Sequence, residues 1–475
     1  MKPLWRLEDF VAGAGGSLGG NARDVTGISI DTRTLEPGDA YFAITGNVHD
    51  GHKFVAQALE KGAALAVVRH DYEGGGALLR VEEPLEALEG LARAARARSA
   101  ARIAAVTGSV GKTGAKEALR LALGAGARVH VSEKSYNNQW GVPLCVARLP
   151  EDAEFAVFEI GMNHPGEITP LVGLVRPHVA LITTVEPVHI GYFESLEAIA
   201  AAKAEILDGL EPGGVAVLNR DNGFFAFLEK RAKAAGAGRV LGFGAHEEAD
   251  VRLKDAALHE RDSCVAARIC DHDAIYKMGA PGRHMVLNSL GILAVVEALG
   301  ADLALAALAL ADVRAPQGRG ARSRLKVPGG EIVLIDESYN ANPASMRAAL
   351  SLLATTKTGK GGRRIAVLGD MLELGDHAPD LHAALALEVV EARVDLVFAS
   401  GANMKGLWEN IPPVMRGAYS ETAGGLETRL LEEIRGGDVV MIKGSLASCM
   451  GPLAETLKNR YPEAGTGTAR MRQGD

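Results

Sequence analysis

Cysteine is scarce in this chain, with four in 475 residues. A disulfide framework is therefore excluded, and a reducing compartment is the expectation. Cys264 and Cys270 stand close together but lack a second pair of ligands, so they do not read as a metal site. Long apolar runs are also missing, which leaves no candidate membrane span. Lys2, Arg6, Glu8 and Asp9 place charges where a signal peptide would need an apolar core. A cytoplasmic protein is expected. There is no excess of basic residues either: Lys and Arg number 51 against 59 Asp and Glu, a net charge of −8. A nucleic-acid binder would need a concentrated basic face. The one basic cluster, Arg93, Arg96, Arg98 and Arg102, falls on an Ala-rich helical stretch and reads as a solvated helix face. No fixed-period repeat is visible.

What is present is alternation. Residues 1–84 hold short mixed segments with turn signals, a helix near 52–61 and a buried strand at 64–68, which suggests a small α/β domain. From 85 to 315, apolar strand candidates at 103–106, 155–160, 179–184 and 215–218 alternate with helical stretches at 114–123 and 195–209. Such alternation means βαβ units and a mostly parallel sheet. Residues 250–280 break the rhythm and read as a small β insertion. A second alternation covers 316–462, with strands expected at 331–335, 365–368, 396–399 and 439–442, as in a Rossmann-like domain. Pro316-Gln-Gly-Arg-Gly320 reads as the hinge, and 463–475 as a disordered tail. The fold class is α/β with three domains.

The most informative stretch is Ile103-Ala-Ala-Val-Thr-Gly-Ser-Val-Gly-Lys-Thr113. An apolar strand runs into Gly108, Ser109, Val110, Gly111, Lys112 and Thr113, and a helix begins at once. Such a loop presents backbone N–H groups and one ammonium to a phosphate chain, and its threonine hydroxyl can ligate Mg²⁺. The common loop has glycine at the position of Val106, so this is a shorter variant; a plain glycine-rich turn would leave Lys112-Thr113 unexplained. Glu159 ends a buried strand, where open α/β sheets hold ligands and a carboxylate can serve a metal. Asn163-His-Pro-Gly-Glu167 is expected to open a helix with Pro165 in its first turn. His189 follows the next strand, and is as readily a polar histidine as a ligand. Lys203, mid-helix, reads by itself as a solvated lysine. In the last domain, Asp336, Tyr339, Asn340 and Asn342 follow one strand, Gly369-Asp-Met-Leu-Glu-Leu-Gly375 the next, and Lys443-Gly-Ser445 the last, a pattern that suggests a ligand face.

Taken together, from about residue 24 to 455, these stretches resemble the Mur ligases of peptidoglycan synthesis. The resemblance rests on Thr107-Gly-Ser-Val-Gly-Lys-Thr113, Tyr136-Asn-Asn-Gln-Trp-Gly-Val-Pro143, Glu159-Ile-Gly-Met-Asn-His-Pro-Gly-Glu167 and His189-Ile-Gly-Tyr-Phe193. Ala202-Lys-Ala-Glu-Ile206, Asn219-Arg-Asp221 and Asp336-Glu-Ser-Tyr-Asn-Ala-Asn-Pro343 complete it. Within the family, the last of these, Leu368-Gly-Asp-Met-Leu-Glu-Leu-Gly375 and Asp50-Gly-His-Lys-Phe54 look most like the member that joins D-alanyl-D-alanine to UDP-N-acetylmuramoyl-tripeptide.

The resemblance implies ATP, two Mg²⁺ ions and an acyl phosphate, in a monomer. By it the catalytic set is Lys112, Glu159, His189 and Lys203, with Thr113, Glu159, His189 and a carbamylated Lys203 at the metal. ATP would lie on residues 108–113, Asn288, Arg319, Asp336, Tyr339, Asn340 and Asn342. The UDP-sugar peptide would meet Asp31, Arg33, Thr45, Gly46, Asn137 and Asn138. Gly114, Met285 and Leu446 depart from the family's Thr or Ser, Asn and Arg. Two other readings are a related ligase that adds a different amino acid or extends a folate, and a nucleotide-driven switch. The first domain argues against the folate enzyme.

Overall fold

The computed structural model describes residues 3–46, 49–133, 135–188, 190–315 and 318–464. His189, Pro316, Gln317 and the tail from 465 lie outside the described residues, so the expectations placed on them are not taken further.

Three sheets follow one another along the chain. The first has the order Ser17–Gly19, Leu78–Val81, Leu65–Arg69, Asp39–Phe42, Gly27–Ser29, and only its first pair is antiparallel. Its three inner strands, Leu78–Val81, Leu65–Arg69 and Asp39–Phe42, are buried on both faces. Ala40, Phe42, Leu65, Val67 and Leu79 face one core, with Phe10 and Leu88. Tyr41, Ala43, Ala66, Val68 and Leu78 face another, with Val55 and Ala58. The helix Pro84–Arg98 buries Ala87, Leu88, Leu91, Ala92 and Ala95 and packs on both Leu7–Ala14 and Gly141–Ala147, joining this sheet to the next.

That helix corrects the reading of its arginines. Arg96 is only 8 % exposed; it donates to the carbonyls of Val175 and Arg176 and to Glu211. Arg98 lies 3.4 Å from the centre of the Trp5 ring and donates to Leu4. Both tie elements together instead of facing water, because the helix is sandwiched and long guanidinium stems reach the carbonyls at its rim. Arg93 fits the solvated reading, with an exposed ion pair to Glu89, and Arg102 is exposed too but opens the strand Arg102–Thr107 instead of lying on the helix.

The central sheet has nine strands, ordered His272–Met278, Ser263–Ile269, Val251–Leu258, Arg239–Gly244, Val215–Asn219, Val179–Ile182, Arg102–Thr107, Phe155–Glu159, Val129–Val131. The segment expected as an insertion is a three-stranded antiparallel meander that extends this same sheet, since Val251–Leu258 pairs in parallel with Arg239–Gly244. The third sheet runs Ala321–Val327, Gly330–Glu337, Val439–Lys443, Arg364–Gly369, Leu396–Ser400, Arg416–Ser420. Its two edge strands, Ala321–Val327 and Arg416–Ser420, are not foreshadowed by apolar runs. Edge strands carry charge and bury little, and Arg322, Arg324 and Lys326 alternate along the first of them. Among the described residues, no helix is long and apolar enough to cross a membrane.

Candidate functional site

The strand Arg102–Thr107 delivers residues 108–111 to the carboxyl edge of the central sheet, and the helix Lys112–Gly124 starts there. Two glycines make the loop possible. Gly108 sits at φ 145° and Gly111 at φ 87°. A Cβ on Gly108 would fall 2.0 Å from Thr183 Oγ1, and one on Gly111 would fall 2.9 Å from Asn288 Nδ2. Side chains following the neighbouring strand hold the loop. Thr183 Oγ1 donates to Val110 O at 2.6 Å, while Ser109 Oγ donates to Glu186 O and accepts from Glu186 N, both at 2.8 Å. Thr183 and Glu186 were missed from sequence; the signal was the polar run directly after the strand Val179–Ile182.

Lys112 Nζ folds back to the loop's own carbonyls, 2.6 Å from Gly108 O and 3.4 Å from Ser109 O. Burial holds its amine below the ordinary lysine range, partly countered by Glu159. Glu159, 1 % exposed, ends its strand beside the loop. Its Oε1 accepts from Thr113 Oγ1 at 3.1 Å and from Asn137 Nδ2 at 2.7 Å. Its Oε2 is buried with no hydrogen-bond partner among the described residues.

Lys203 overturns the reading of it as a solvated lysine. It lies in the last turn of Leu196–Ala204 and is 2 % exposed. Its amine is held well below the ordinary value, first by burial and then by the positive charge of Lys112. The local signal was the alanine and isoleucine on both sides of it. Nor does Pro165 start a helix: the helix opens at Ile168. Glu205, from a distant segment, accepts from the N–H groups of Gly166, Ile168 and Thr169, and so satisfies the free donors at that end.

The two asparagines of Tyr136-Asn-Asn part company. Asn137 reaches Glu159, whereas Asn138 Oδ1 accepts from the N–H of Trp140 and of Gly141 at the start of a helix. In the first sheet's loops, Arg33 donates to Asp31 at 2.7 Å, and Thr45 Oγ1 to Asp50 at 3.2 Å. A Cβ on Gly46 would meet the Trp140 ring at 3.6 Å, so this loop faces the asparagine segment.

In the third sheet, Asp336 takes the Ser338 hydroxyl at 2.6 Å and Lys458 Nζ at 2.9 Å. Asn342 caps the helix Pro343–Thr355 in a reciprocal box with Ser345. Asn340 Oδ1 accepts from Ala341 N, and the buried Lys443 donates to Asn340 O at 2.8 Å. Asp370 accepts from Met404 N, and Ser445 Oγ from Leu372 N, both at 2.9 Å. Tyr339 remains 36 % exposed, with the Arg319 guanidinium 4.2 Å from its ring centre. Arg319 is near enough to Lys112 and to Lys443 to lower both amines further, so the third sheet's cation confronts the phosphate loop. Met285 packs into the apolar core beside the central sheet. Among the described residues, no group of three or more His, Cys, Asp or Glu could hold a metal by itself, and all four cysteines are free.

Three family models match the chain in order: "Mur ligase family, catalytic domain" over 24–96, "Mur ligase middle domain" over 106–296, and "Mur ligase, glutamate ligase domain" over 323–446. The UDP-N-acetylmuramoyl-tripeptide–D-alanyl-D-alanine ligase of Synechocystis is 34 % identical over 443 residues, covering 92 % of this chain and 93 % of the relative. That of Rickettsia prowazekii is 30 % identical over 430 residues, covering 90 % and 93 %. A crystal structure of MurF from Acinetobacter baumannii superposes with a TM-score of 0.84 at 29 % identity, over 96 % of this chain and 99 % of that one. MurF ligase from Thermotoga maritima in complex with ADP superposes at 0.75, with 25 % identity, over 91 % and 97 %. The chain belongs to the Mur ligase family.

Proposed function

We propose that this protein uses ATP to join the amino group of D-alanyl-D-alanine to the terminal carboxylate of UDP-N-acetylmuramoyl-tripeptide, in peptidoglycan precursor synthesis. The observation that carries the reading is the set at one sheet edge: half-buried Lys112 and buried Thr113 on the phosphate loop, Glu159 with an unpartnered oxygen, and Lys203 with a depressed amine. Relatives of that activity match the chain over nine-tenths of its length.

The tripeptide carboxylate attacks the γ-phosphorus of ATP. The bond to the β-phosphate oxygen breaks, leaving an acyl phosphate and ADP. The neutral amine of D-alanyl-D-alanine then attacks the acyl carbon; the C–N bond forms, phosphate departs, and the amine's proton is released. The first step brings two anions together. Two unit charges at 4 Å repel by about 4 kcal/mol at an effective dielectric of 20, roughly three powers of ten in rate. Lys112, seated under the loop's carbonyls, is the protein's own counter-charge. The orphaned Glu159 oxygen beside the Thr113 hydroxyl is a hard-oxygen donor set that fits a divalent cation. Bound there, Mg²⁺ would neutralise phosphate charge.

Lys203 supplies a further oxygen ligand if its amine adds CO₂, forming an N–C bond with release of one proton. That reaction needs the unprotonated amine, which burial and the Lys112 charge favour. Arg319 and Tyr339 close on the nucleotide from the third sheet. Asn137, Thr45, Gly46, Asp31 and Arg33 border the sugar-peptide.

The test is ADP release from ATP in the presence of UDP-N-acetylmuramoyl-tripeptide, with D-alanyl-D-alanine offered against single amino acids. Stimulation by the dipeptide alone is expected. Equal stimulation by a single amino acid, or none by the dipeptide, would sink the reading.

A further inference from the structure

Central and third sheets meet at a second place besides the phosphate loop. The single helical turn Ile190–Tyr192 lies against the loop that follows Arg364–Gly369. Gly191 N donates to Glu373 O at 3.1 Å. The two backbones are closer than any side chain would allow. A Cβ on Gly191 would stand 2.6 Å from Gly375 N and 3.0 Å from Gly375 Cα; one on Gly375 would stand 2.9 Å from Gly191 Cα. The obstructing atoms are backbone, so no rotamer change relieves the collision. Gly375 is also at φ 55° and Glu373 at φ 64°, which turns the loop toward the contact.

The surroundings make this contact a joint between the two bodies. Ile190 packs against the core of the first two sheets and against that of the third. Tyr192 packs at a tilt of 51° against His164, 4.9 Å between ring centres, which ties the turn to the central sheet's loops. A short way off, Arg347 of the third sheet's first helix reaches Glu186 at 3.9 Å, and Glu186 is bonded on both sides to Ser109 of the phosphate loop. On this side the third sheet is thus tied to the segment after the strand Val179–Ile182 by one glycine pair and one ion pair; on its other side Arg324 pairs with Glu260 of the central sheet's meander at 3.4 Å, and Arg322 donates to Glu260 O.

We propose that Gly191 and Gly375 are positioning residues. Their side-chain-free contact sets how closely Arg319 and the third sheet approach the phosphate loop, and through that the rate of ligation. This rests on the ligase reading above. A displacement of about 1 Å at such a joint is expected to lower turnover by roughly 10- to 100-fold while the groups that touch substrate remain intact.

The variants are Gly191→Ala and Gly375→Ala, with Gly424→Ala as control, since a methyl there meets nothing within 4 Å. Gly191 lies outside the left-handed region, so its alanine variant adds only the collision. Dipeptide-dependent ADP release, KM for the nucleotide-sugar and hydrogen exchange of peptides covering 190–193 are measured on each full-length protein. In both joint variants kcat is expected to fall 10- to 100-fold at unchanged KM. In Gly375→Ala, exchange at 190–193, far away in sequence, is expected to quicken. Turnover and exchange at the control's level in both variants would overturn the proposal, as would a rise in KM matching the fall in kcat. If the unaltered protein shows no dipeptide-dependent ADP release, the ligase reading fails while the exchange measurement still decides whether the joint exists.

Discussion

The buried polar residues at the carboxyl edge of the central sheet and those at the same edge of the third sheet are differently engaged. In the third sheet the polar groups satisfy one another: Asp336 holds Ser338 and Lys458, Asn342 caps a helix, Lys443 reaches Asn340 and Glu337, and Asp370 holds Met404. In the central sheet they do so only in part, Thr113 and Asn137 holding one oxygen of Glu159. Glu159 keeps an unpartnered oxygen, and the charge acting on Lys203 is another cation. A buried charge without a partner costs several kcal/mol. It persists where a ligand supplies the missing partner. The central edge is therefore where phosphate, metal and carboxylate are expected to meet, while Asp336 and Asn342 at the third edge are expected to act chiefly as scaffold.

Substitutions can separate the two edges. The largest effect is expected for Glu159→Gln, which should lower kcat for ADP release by about 10³-fold. Thermal unfolding should be unchanged or occur at a higher temperature, because a charge without full compensation is removed. A loss of stability in step with activity would place Glu159 with the scaffold.

Next is Lys203→Met, expected to abolish most turnover and to change how stability depends on pH. In CO₂-free buffer, between the depressed folded value and the ordinary 10.5, the unfolded chain binds a proton at Lys203 that the folded protein binds less. Stability contributed at that site therefore rises with pH between the depressed folded value and 10.5, and falls as pH drops through that window. The methionine variant should lose up to about 1.4 kcal/mol per pH unit of that slope. Denaturant unfolding at several alkaline pH values measures it, and an unchanged slope would mean the amine is not depressed.

The smallest effect is expected for Asn342→Ala. Loss of the cap should cost about 1 kcal/mol, with kcat within roughly threefold of the unaltered protein, well under 1 kcal/mol of barrier. A tenfold loss of turnover without loss of stability would return Asn342 to the nucleotide.

Much of the fold was legible. Continuous apolar runs such as Leu65–Arg69 and Val439–Lys443 mark buried parallel strands wherever they occur. Ala321–Val327 and Arg416–Ser420 escaped because an edge strand is held by backbone bonds to one neighbour and leaves little trace in side-chain hydrophobicity. At the candidate site, the places of Gly108, Gly111, Lys112, Thr113 and Glu159 were legible because each lies at a strand end or helix start marked by the apolar runs. Arg96 and Lys203 were misread by composition alone. Each is a cation in an Ala-rich helix, and nothing local tells whether its face meets water or another layer.

By itself, the sequence determined the alternation of strand and helix and the phosphate loop between them, because periodicity and glycine spacing act over a few residues. Tertiary structure decided which charges are stranded. Glu159 is short of a partner, and the amine of Lys203 is held below its ordinary range, only because layers distant in the chain close over them and take away water. It also decided that Gly191 and Gly375, 184 positions apart, must both be bare, since only packing of the two bodies brings those backbones within reach.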